Sequence, residues 1–130
     1  MDFPADLKYT ENDEWVRVEG SEAVCGISDF AQDQLSDIVF VEILVSEGDS
    51  FKKGDSIASV ESVKTAADVY APVSGKVTAV NEALMETPEV VNTDPYGAAW
   101  IIRFELSDPA EVDALLSTDD YRKNTEERAH

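Results

Sequence analysis

The amino-acid sequence predicts a mainly β protein with one short internal helix and one C-terminal helix. The first observation is a series of short runs rich in Val and Ile, each bounded by Gly, Pro, Asn or Asp, which is the pattern of strands joined by turns. The second is that helix-capping residues followed by an apolar stripe stand out at two places, near residue 29 and near residue 108. The third is a length of 130 residues, which allows one domain with a real core.

The strand predictions rest on alternation and on β-branched residues. Glu14–Glu19 alternates polar and apolar residues, a Gly-Ser turn follows, and Glu22–Ile27 returns as its partner. Residues 37–45 form the most apolar run of the chain, too short for a comfortable helix, so we expect a central strand buried on most of both faces. Val77 and Val80 do not share one face of the strand after the second Pro-containing turn, which predicts a bulge or an edge position there.

Two segments carry helix signals, and a third carries none. Asp29 with Gln32 has the form of a capping box and predicts the internal helix. Asp108 as N-cap and Pro109 in the first turn predict the C-terminal helix, whose stripe we expect to dock on the sheet. That stripe consists of Val112, Leu115 and Leu116. Residues 122–130 contain no apolar residue larger than Ala, so we expect a single domain over 1–130 whose last nine residues are a frayed tail.

The charge and the reactive residues exclude several classes of function. The chain has 28 acidic and 10 basic residues, a formal net charge of −18, and such a surface repels the phosphates of nucleic acid. The single Cys25 lies in an apolar run, which predicts a buried, inert thiol in a reducing compartment. The only histidine is the last residue, His130, a position that argues against a catalytic triad. We therefore expect no catalytic residues.

Metal and membrane functions also lack a signal in the sequence. No Cys or His pairs with metal-ligand spacing occur, and no phosphate-binding loop is present. No apolar run reaches the roughly 18 residues that a membrane helix needs. No basic signal segment is evident at the start, so we expect a cytoplasmic protein, or a mitochondrial matrix protein only if a transit peptide has been removed.

The chain is organised around a predicted hairpin in its middle. Strand-like runs, residues 56–60 and 68–75, flank the stretch 61–68 with no helical segment between them, which places Lys64 at the tip. A lysine at the tip of an arbitrary hairpin is usually no more than a hydrated cation on a flexible stem. The residue types around this lysine point to a more specific role.

The residues from 61 to 75 resemble the lipoyl-attachment hairpin of the glycine cleavage system H protein family. The motif reads Glu-Ser-Val-Lys at 61–64, then Asp68, then Tyr-Ala-Pro-Val-Ser-Gly at 70–75. The resemblance runs from about residue 7 to residue 121, and a second signature, Asn-Thr-Asp-Pro-Tyr-Gly at 92–97 followed by Trp100, belongs to it. It implies a flattened, sandwich-like β-barrel of the lipoyl/biotinyl-carrier type.

The resemblance implies a covalent lipoate on Lys64. The other lysines near the hairpin lack the flanking pattern, so the role is carried over to Lys64 alone. Val63 and Thr65 flank it where biotin carriers have methionine, which favours lipoate over biotin.

The function that the resemblance implies is that of a carrier without turnover of its own. It takes the aminomethyl group of glycine from a PLP-dependent decarboxylase, the P protein, to a folate-dependent aminomethyltransferase, the T protein. Dihydrolipoamide dehydrogenase, the L protein, then reoxidises the arm, and lipoyl-attaching enzymes load it. We expect a monomer.

The resemblance also implies a cleft that holds the loaded arm. In the family the amine of the arm meets carboxylates, and the matching positions here are Glu14 and Asp68, with Asn12 as a further hydrogen-bonding group. A carboxylate pair favours a cationic amine, and a closed cleft excludes water. Glu61 is assigned to recognition by the lipoylating enzyme or to the shape of the hairpin. Asp13 stands where the family has histidine, so the charge balance at the cleft differs.

Two alternatives to carriage in glycine cleavage stay open at this point. The same lipoylated hairpin could serve as a relay that hands its lipoyl or octanoyl group to 2-oxoacid dehydrogenase subunits. The chain could also be an unmodified H-like binding module that scaffolds partners. Loading of Lys64 in cells separates the second alternative from carriage.

Overall fold

The computed structural model describes residues 1–128, and within them nine strands form two sheets. The large sheet has the order β1-β2-β3-β9-β8-β5, the small sheet has the order β4-β6-β7, and every neighbouring pair is antiparallel. The strands are β1 (Lys8–Tyr9), β2 (Glu14–Glu19), β3 (Glu22–Ile27), β4 (Ile38–Ile43), β5 (Ser50–Phe51), β6 (Ser56–Ser62), β7 (Ala66–Tyr70), β8 (Gly75–Val80) and β9 (Ile102–Leu106).

Five helices connect and cover these sheets in the described part of the chain: α1 (Asp29–Leu35), α2 (Glu82–Glu86), α3 (Val90–Thr93), α4 (Ala110–Asp113) and α5 (Thr118–Arg128). The mainly β class with an internal and a C-terminal helix is confirmed. Of the two forms that the sequence left together, barrel or sandwich, the structure has the two-sheet sandwich, because the strands form two separate ladders and do not close.

The large sheet is buried on both faces. Trp15 and Val16 of β2 are both fully buried. Successive residues of a strand point to opposite faces, so a sheet with one face in solvent would expose one of the two. Val16 belongs to the main core between the two sheets. Trp15 belongs to a second cluster, with Tyr9 and Tyr121, on the opposite face under α5. This second layer fixes the chain segment that begins β2.

The apolar run at residues 37–45 is not the central strand that the sequence predicted. It forms β4 at the edge of the small sheet, where only Ile38 and Val41 are buried. A bulge between Ile38 and Phe40 turns two successive apolar side chains to the outside, so that Val39 is 54% and Phe40 43% exposed. The apolar composition predicts burial, and the prediction is wrong because the bulge exposes Val39 and Phe40.

The predicted irregularity in the strand after residue 74 is confirmed. The pairing of β8 with β9 shifts register between Val77 and Ala79, so one extra residue is inserted on β8. Val77 is buried while Val80 is only partly buried, as the absence of a common face indicated.

The internal helix is present, but its cap differs from the predicted one. Ser28 is the N-cap of α1, and its hydroxyl accepts the Ala31 N–H at 3.2 Å. Asp29 is the first helical residue, and its carboxylate accepts from the Gln32 side chain at 2.7 Å. The side chains of the two residues of the expected capping box therefore bond to each other instead of capping the N–H groups at the start of α1.

The C-terminal region is the largest departure from the sequence prediction. The helix expected after Asp108 is short, Ala110–Asp113, and Glu111 accepts from the backbone N–H of Ser74 at 2.7 Å instead of completing a capping box. Residues 122–128 are not a frayed tail, because they continue α5 with Thr125 only 4% exposed. Residues 129–130, which complete that prediction, lie outside the described part of the chain. Helix α5 has no apolar stripe and is attached through Tyr121 and Arg128, so hydrophobic periodicity could not reveal it.

Candidate functional site

The predicted hairpin is formed by β6 and β7, and Lys64 is exposed at its tip. Ser62 organises the turn. Its hydroxyl accepts the N–H groups of Lys64 at 3.3 Å and Thr65 at 3.1 Å, and its backbone N–H donates to the Thr65 carbonyl at 2.7 Å. Val63 donates its N–H to the Asp37 carbonyl at 3.0 Å, which ties the tip to the start of β4. The lysine is thus free at the end of an ordered turn.

A cleft lies beside the hairpin and has a volume of about 150 Å³. The three residues assigned to an arm pocket by resemblance, Asn12, Glu14 and Asp68, all line this one cleft. Its other walls are mainly apolar and come from β3, α1 and the hairpin: Ile27, Ala31, Leu35, Val60, Ala67 and Val69. The structure thus brings the predicted residues together, from segments more than 50 positions apart.

Glu14 is the buried acid of the cleft, with only 2% of its surface exposed. One carboxylate oxygen accepts the hydroxyl of Thr10 at 2.5 Å, and the other accepts the N–H of Tyr70 at 3.3 Å. No lysine, arginine or histidine within residues 1–128 forms a salt bridge with it. Burial disfavours the charged form and raises the pKa of Glu14 to about 7, although the hydrogen bonds from Thr10 and Tyr70 oppose this rise.

The remaining predicted residues lie at the surface. Asp68 is exposed on β7, four residues beyond Lys64, and Asn12 is exposed on the turn before β2. Glu61 is exposed on β6, where it lies opposite Phe40 and Ala66 in the register of the small sheet. Asp68 and Asn12 are therefore at the mouth of the cleft and Glu14 is at its base. Glu61 does not line the cleft.

Glu14 and Asn12 also border a second cavity of about 300 Å³. Its lining includes Lys53, Pro72 and, from the chain after α4, Leu116. The sequence carries no signal of this cavity. Glu14 therefore lines two cavities, although only 2% of its own surface is exposed.

The prediction of a buried cysteine is confirmed. Cys25 is buried and free, and burial raises the pKa of its thiol above the usual range, which makes it inert. Among residues 1–128, no group of three or more His, Cys, Asp or Glu side chains is placed to hold a metal ion. His130 lies outside the described residues. Helices that are long and apolar enough to span a membrane are absent from the described part of the chain.

Sequence reasoning missed the residues that support the site. The Thr10 hydroxyl bonds to Glu14 twice, because it donates to the side-chain carboxylate and accepts the backbone N–H at 3.1 Å. Ala31 and Leu35 supply the apolar wall opposite, from the internal helix, which the sequence predicts but does not connect with the site. Ser62 was part of the quoted motif without a role of its own. Only the apolar face of α1 had a detectable signal.

Fold and site together define a class of protein. An exposed lysine on an ordered hairpin of a two-sheet β fold, beside a partly apolar cleft with a buried carboxylate, is suited to carry a covalent arm and to shelter its end. The class is that of carrier proteins. Comparison with known proteins identifies the family within it.

The family model described as "Glycine cleavage H-protein" matches residues 7–128. The chain is 58% identical over 123 residues to the glycine cleavage system H protein of Listeria monocytogenes serotype 4a (strain HCC23), which covers 95% of this chain and 98% of that protein. It is 55% identical to the protein of the same name from Carboxydothermus hydrogenoformans, over 95% of each chain. A crystal structure of a glycine cleavage system H protein from Mycobacterium marinum superposes with a TM-score of 0.86 at 33% identity, over 95% of this chain and 99% of that one.

The chain therefore belongs to the glycine cleavage H-protein family. The family consists of lipoyl carriers in the glycine cleavage system, which are subunits without catalytic activity. The resemblance first noted on residues 61–75 and 92–100 is confirmed.

Proposed function

We propose that Lys64 carries lipoate in amide linkage and that this arm takes the aminomethyl group of glycine from the P protein to the T protein, with reoxidation by the L protein. The observation that carries the proposal is the position of Lys64, exposed at the tip of a turn held by Ser62. An exposed lysine on a rigid turn is accessible both to the lipoyl-attaching enzymes and to successive partners. The bacterial relatives support a cytoplasmic location.

The residues beside Lys64 fit a lipoyl group. Acylation removes the positive charge of the lysine, so the arm can lie on apolar surface without the desolvation cost of an ammonium. Lysine stem and lipoyl chain together reach roughly 14 Å. Asp68 is four residues from Lys64, a separation that even a fully extended chain would span with about the same distance. The end of the arm can therefore enter the cleft, where Ala31, Leu35 and Val60 offer apolar contact.

The cleft acids have distinct roles in this proposal. When bound, lipoate supplies the dithiolane whose sulfur accepts the aminomethyl group. Glu14, buried at the base, and Asp68, at the mouth, favour the cationic amine at the end of the loaded arm, because a charge-assisted hydrogen bond is stronger than a neutral one. Asn12 adds a neutral hydrogen-bonding group at the mouth. Walls of apolar residues keep water from the labile aminomethyl group.

Glu61 is proposed to act before the cycle begins. Its carboxylate is exposed on β6, three residues before Lys64 and outside the cleft. A charge at this place is available to an enzyme that approaches the lysine, and it makes no contact with the sheltered arm. We therefore assign Glu61 to recognition by the lipoyl-attaching enzyme.

The test of the proposal is the intact mass of protein from its native cell and its activity after loading. We expect wild-type protein to be heavier by one lipoyl amide and Lys64→Arg to lack this increment, since arginine keeps the charge but is not acylated in the same way. The loaded wild type should support glycine–bicarbonate exchange by the P protein. Lys53→Arg, at an exposed turn, is the matched control and should behave as wild type. A lipoyl group on another lysine in Lys64→Arg would refute the assignment, and a lipoylated protein without exchange activity would favour the relay alternative.

A further inference from the structure

The turn that forms one rim of the cleft has an unusual backbone conformation. Asp13 lies between the cleft residues Asn12 and Glu14, and its φ is +70°, a left-handed value that non-glycine residues seldom adopt. Its N–H donates to the Thr10 carbonyl at 3.2 Å, and its carbonyl accepts the Ser28 N–H at 2.8 Å. Such a conformation persists where the surroundings hold it.

The side chain of Asp13 is held by helix α5. Arg128 donates two hydrogen bonds to the two carboxylate oxygens, at 2.5 and 3.1 Å, in the forked geometry that a guanidinium and a carboxylate share. Tyr121 donates its hydroxyl to the same carboxylate at 2.9 Å. Arg128 is also the basic residue of the last turn of α5, where the helix dipole favours a cation.

The same two residues of α5 contact helix α1, which forms the opposite wall. The Arg128 guanidinium lies 4.8 Å from the centre of the Phe30 ring. The Tyr121 hydroxyl uses its one hydrogen in the bond that it donates to Asp13, so in the 2.5 Å hydrogen bond with Ser28, the N-cap of α1, it is the acceptor. Because Ala31 and Leu35 of α1 line the cleft, α5 holds both sides of the cleft from behind.

We propose that Arg128 and Tyr121 are positioning residues for the arm cleft. Through Asp13 they hold residues 12–14 against α1, and they thereby set how long a loaded arm stays protected from water. This inference rests on the proposed function for its consequence in the cycle. Its structural half, the fixing of residues 12–14 by α5, does not depend on what Lys64 carries.

A matched pair of variants on one helix tests the inference. Arg128→Gln removes the forked ion pair, whereas Arg122→Gln removes an arginine of the same helix that pairs with Asp119 at 3.5 Å and lies 5.7 Å from the Phe3 ring. We expect the loaded aminomethyl group to decay at least about threefold faster in Arg128→Gln and at the wild-type rate in Arg122→Gln. Arg128→Lys, which keeps the charge and loses the fork, should be intermediate. Attachment of lipoate should be equal in all four proteins.

A second measurement needs no arm at all. The amides of residues 12, 13 and 14 are all bonded to Thr10, so their hydrogen exchange reports how firmly the rim is held. Faster exchange there in Arg128→Gln than in Arg122→Gln supports the inference. Equal exchange and equal decay in the two variants would overturn it. A wild-type protein that lacks the lipoyl mass would instead overturn the proposed function. The comparison of amide hydrogen exchange between the two variants would still decide the role of Arg128.

Discussion

Glu14 combines two properties that oppose each other at the scale of a single residue. It is an acid buried without a salt bridge in the described residues, yet it lines two cavities. A pKa of about 7 leaves it close to half protonated at neutral pH. A cationic amine that enters the cleft would favour the charged form of Glu14. Glu14 would then lose its proton when the loaded arm is bound, which is when a negative charge stabilises the amine.

The first prediction at this scale concerns the loaded arm. Glu14→Gln and Asp68→Asn should both fold and accept lipoate, and both should lose the aminomethyl group to hydrolysis faster. Losing one charge-assisted hydrogen bond costs roughly 1.5–3 kcal/mol, which is about tenfold or more in the population of the sheltered arm. The measurement is the decay time of the loaded protein. Unchanged decay in both variants would leave these acids without a role in the cleft.

The second prediction concerns stability and pH. Between about pH 4.5 and about pH 7 the folded protein keeps a proton on Glu14 that the unfolded chain has released. The folded state thus binds more protons, so this group makes the free energy of unfolding fall by about 3 kcal/mol as the pH rises through that window. Urea unfolding at pH 5 and pH 8 should show a larger fall for wild type than for Glu14→Gln.

At the scale of the element, β4 shows how one inserted residue changes the meaning of an apolar run. Ile38 and Val41 face the core, but the bulge between Ile38 and Phe40 leaves Val39 and Phe40 on the outside of an edge strand. An alternating register would have buried one of these two. The turn after β6 shows the opposite case, because the local chemistry of Ser62 was sufficient to form the hairpin that the sequence predicted.

The element-scale prediction compares two valines of β4. Val41→Ala removes buried methyl groups and leaves a cavity in the main core, which should lower the free energy of unfolding by about 2 kcal/mol. Val39→Ala, at a side chain that is 54% exposed, should change it by less than about 0.5 kcal/mol. Chemical denaturation of the two variants provides the values. Similar losses in both would mean that β4 is buried on both faces after all.

At the scale of the whole molecule, α5 closes the second face of the large sheet. Tyr121 stacks on Tyr9 with ring centroids 4.5 Å apart and planes at 3°, and Tyr9, Trp15 and Leu7 are buried beneath it. The hydroxyl of Tyr121 also joins Ser28 and Asp13. One aromatic residue of the last helix therefore links the outer core to the cleft.

The prediction at this scale is that Tyr121→Phe keeps the stacking and loses the link. Removing the hydroxyl deprives Asp13 and Ser28 of a partner, which should lower the free energy of unfolding by about 1–3 kcal/mol. Tyr70→Phe is the control, because the Tyr70 side chain is exposed and should contribute little. Thermal unfolding followed by near-ultraviolet circular dichroism would show the loss. Equal midpoints for Tyr121→Phe and Tyr70→Phe would contradict a linking role for the hydroxyl.

The sequence by itself determined the local features of this protein. The β class, the hairpin with Lys64 at its tip and the bulge of β8 followed from turn chemistry and alternation, which act between neighbours in the chain. The choice of Asn12, Glu14 and Asp68 follows from family resemblance, and the structure brings all three to one cleft.

Tertiary structure alone decided which surfaces are buried and what supports the cleft. Helix α5 is formed by residues with no apolar stripe, because its attachment comes from a ring stack and an ion pair to residues more than 100 positions away. The exposure of Val39 and the burial of Glu14 depend equally on distant partners. Such contacts join residues that are far apart in the sequence and close only in the folded chain, so local sequence patterns do not predict them.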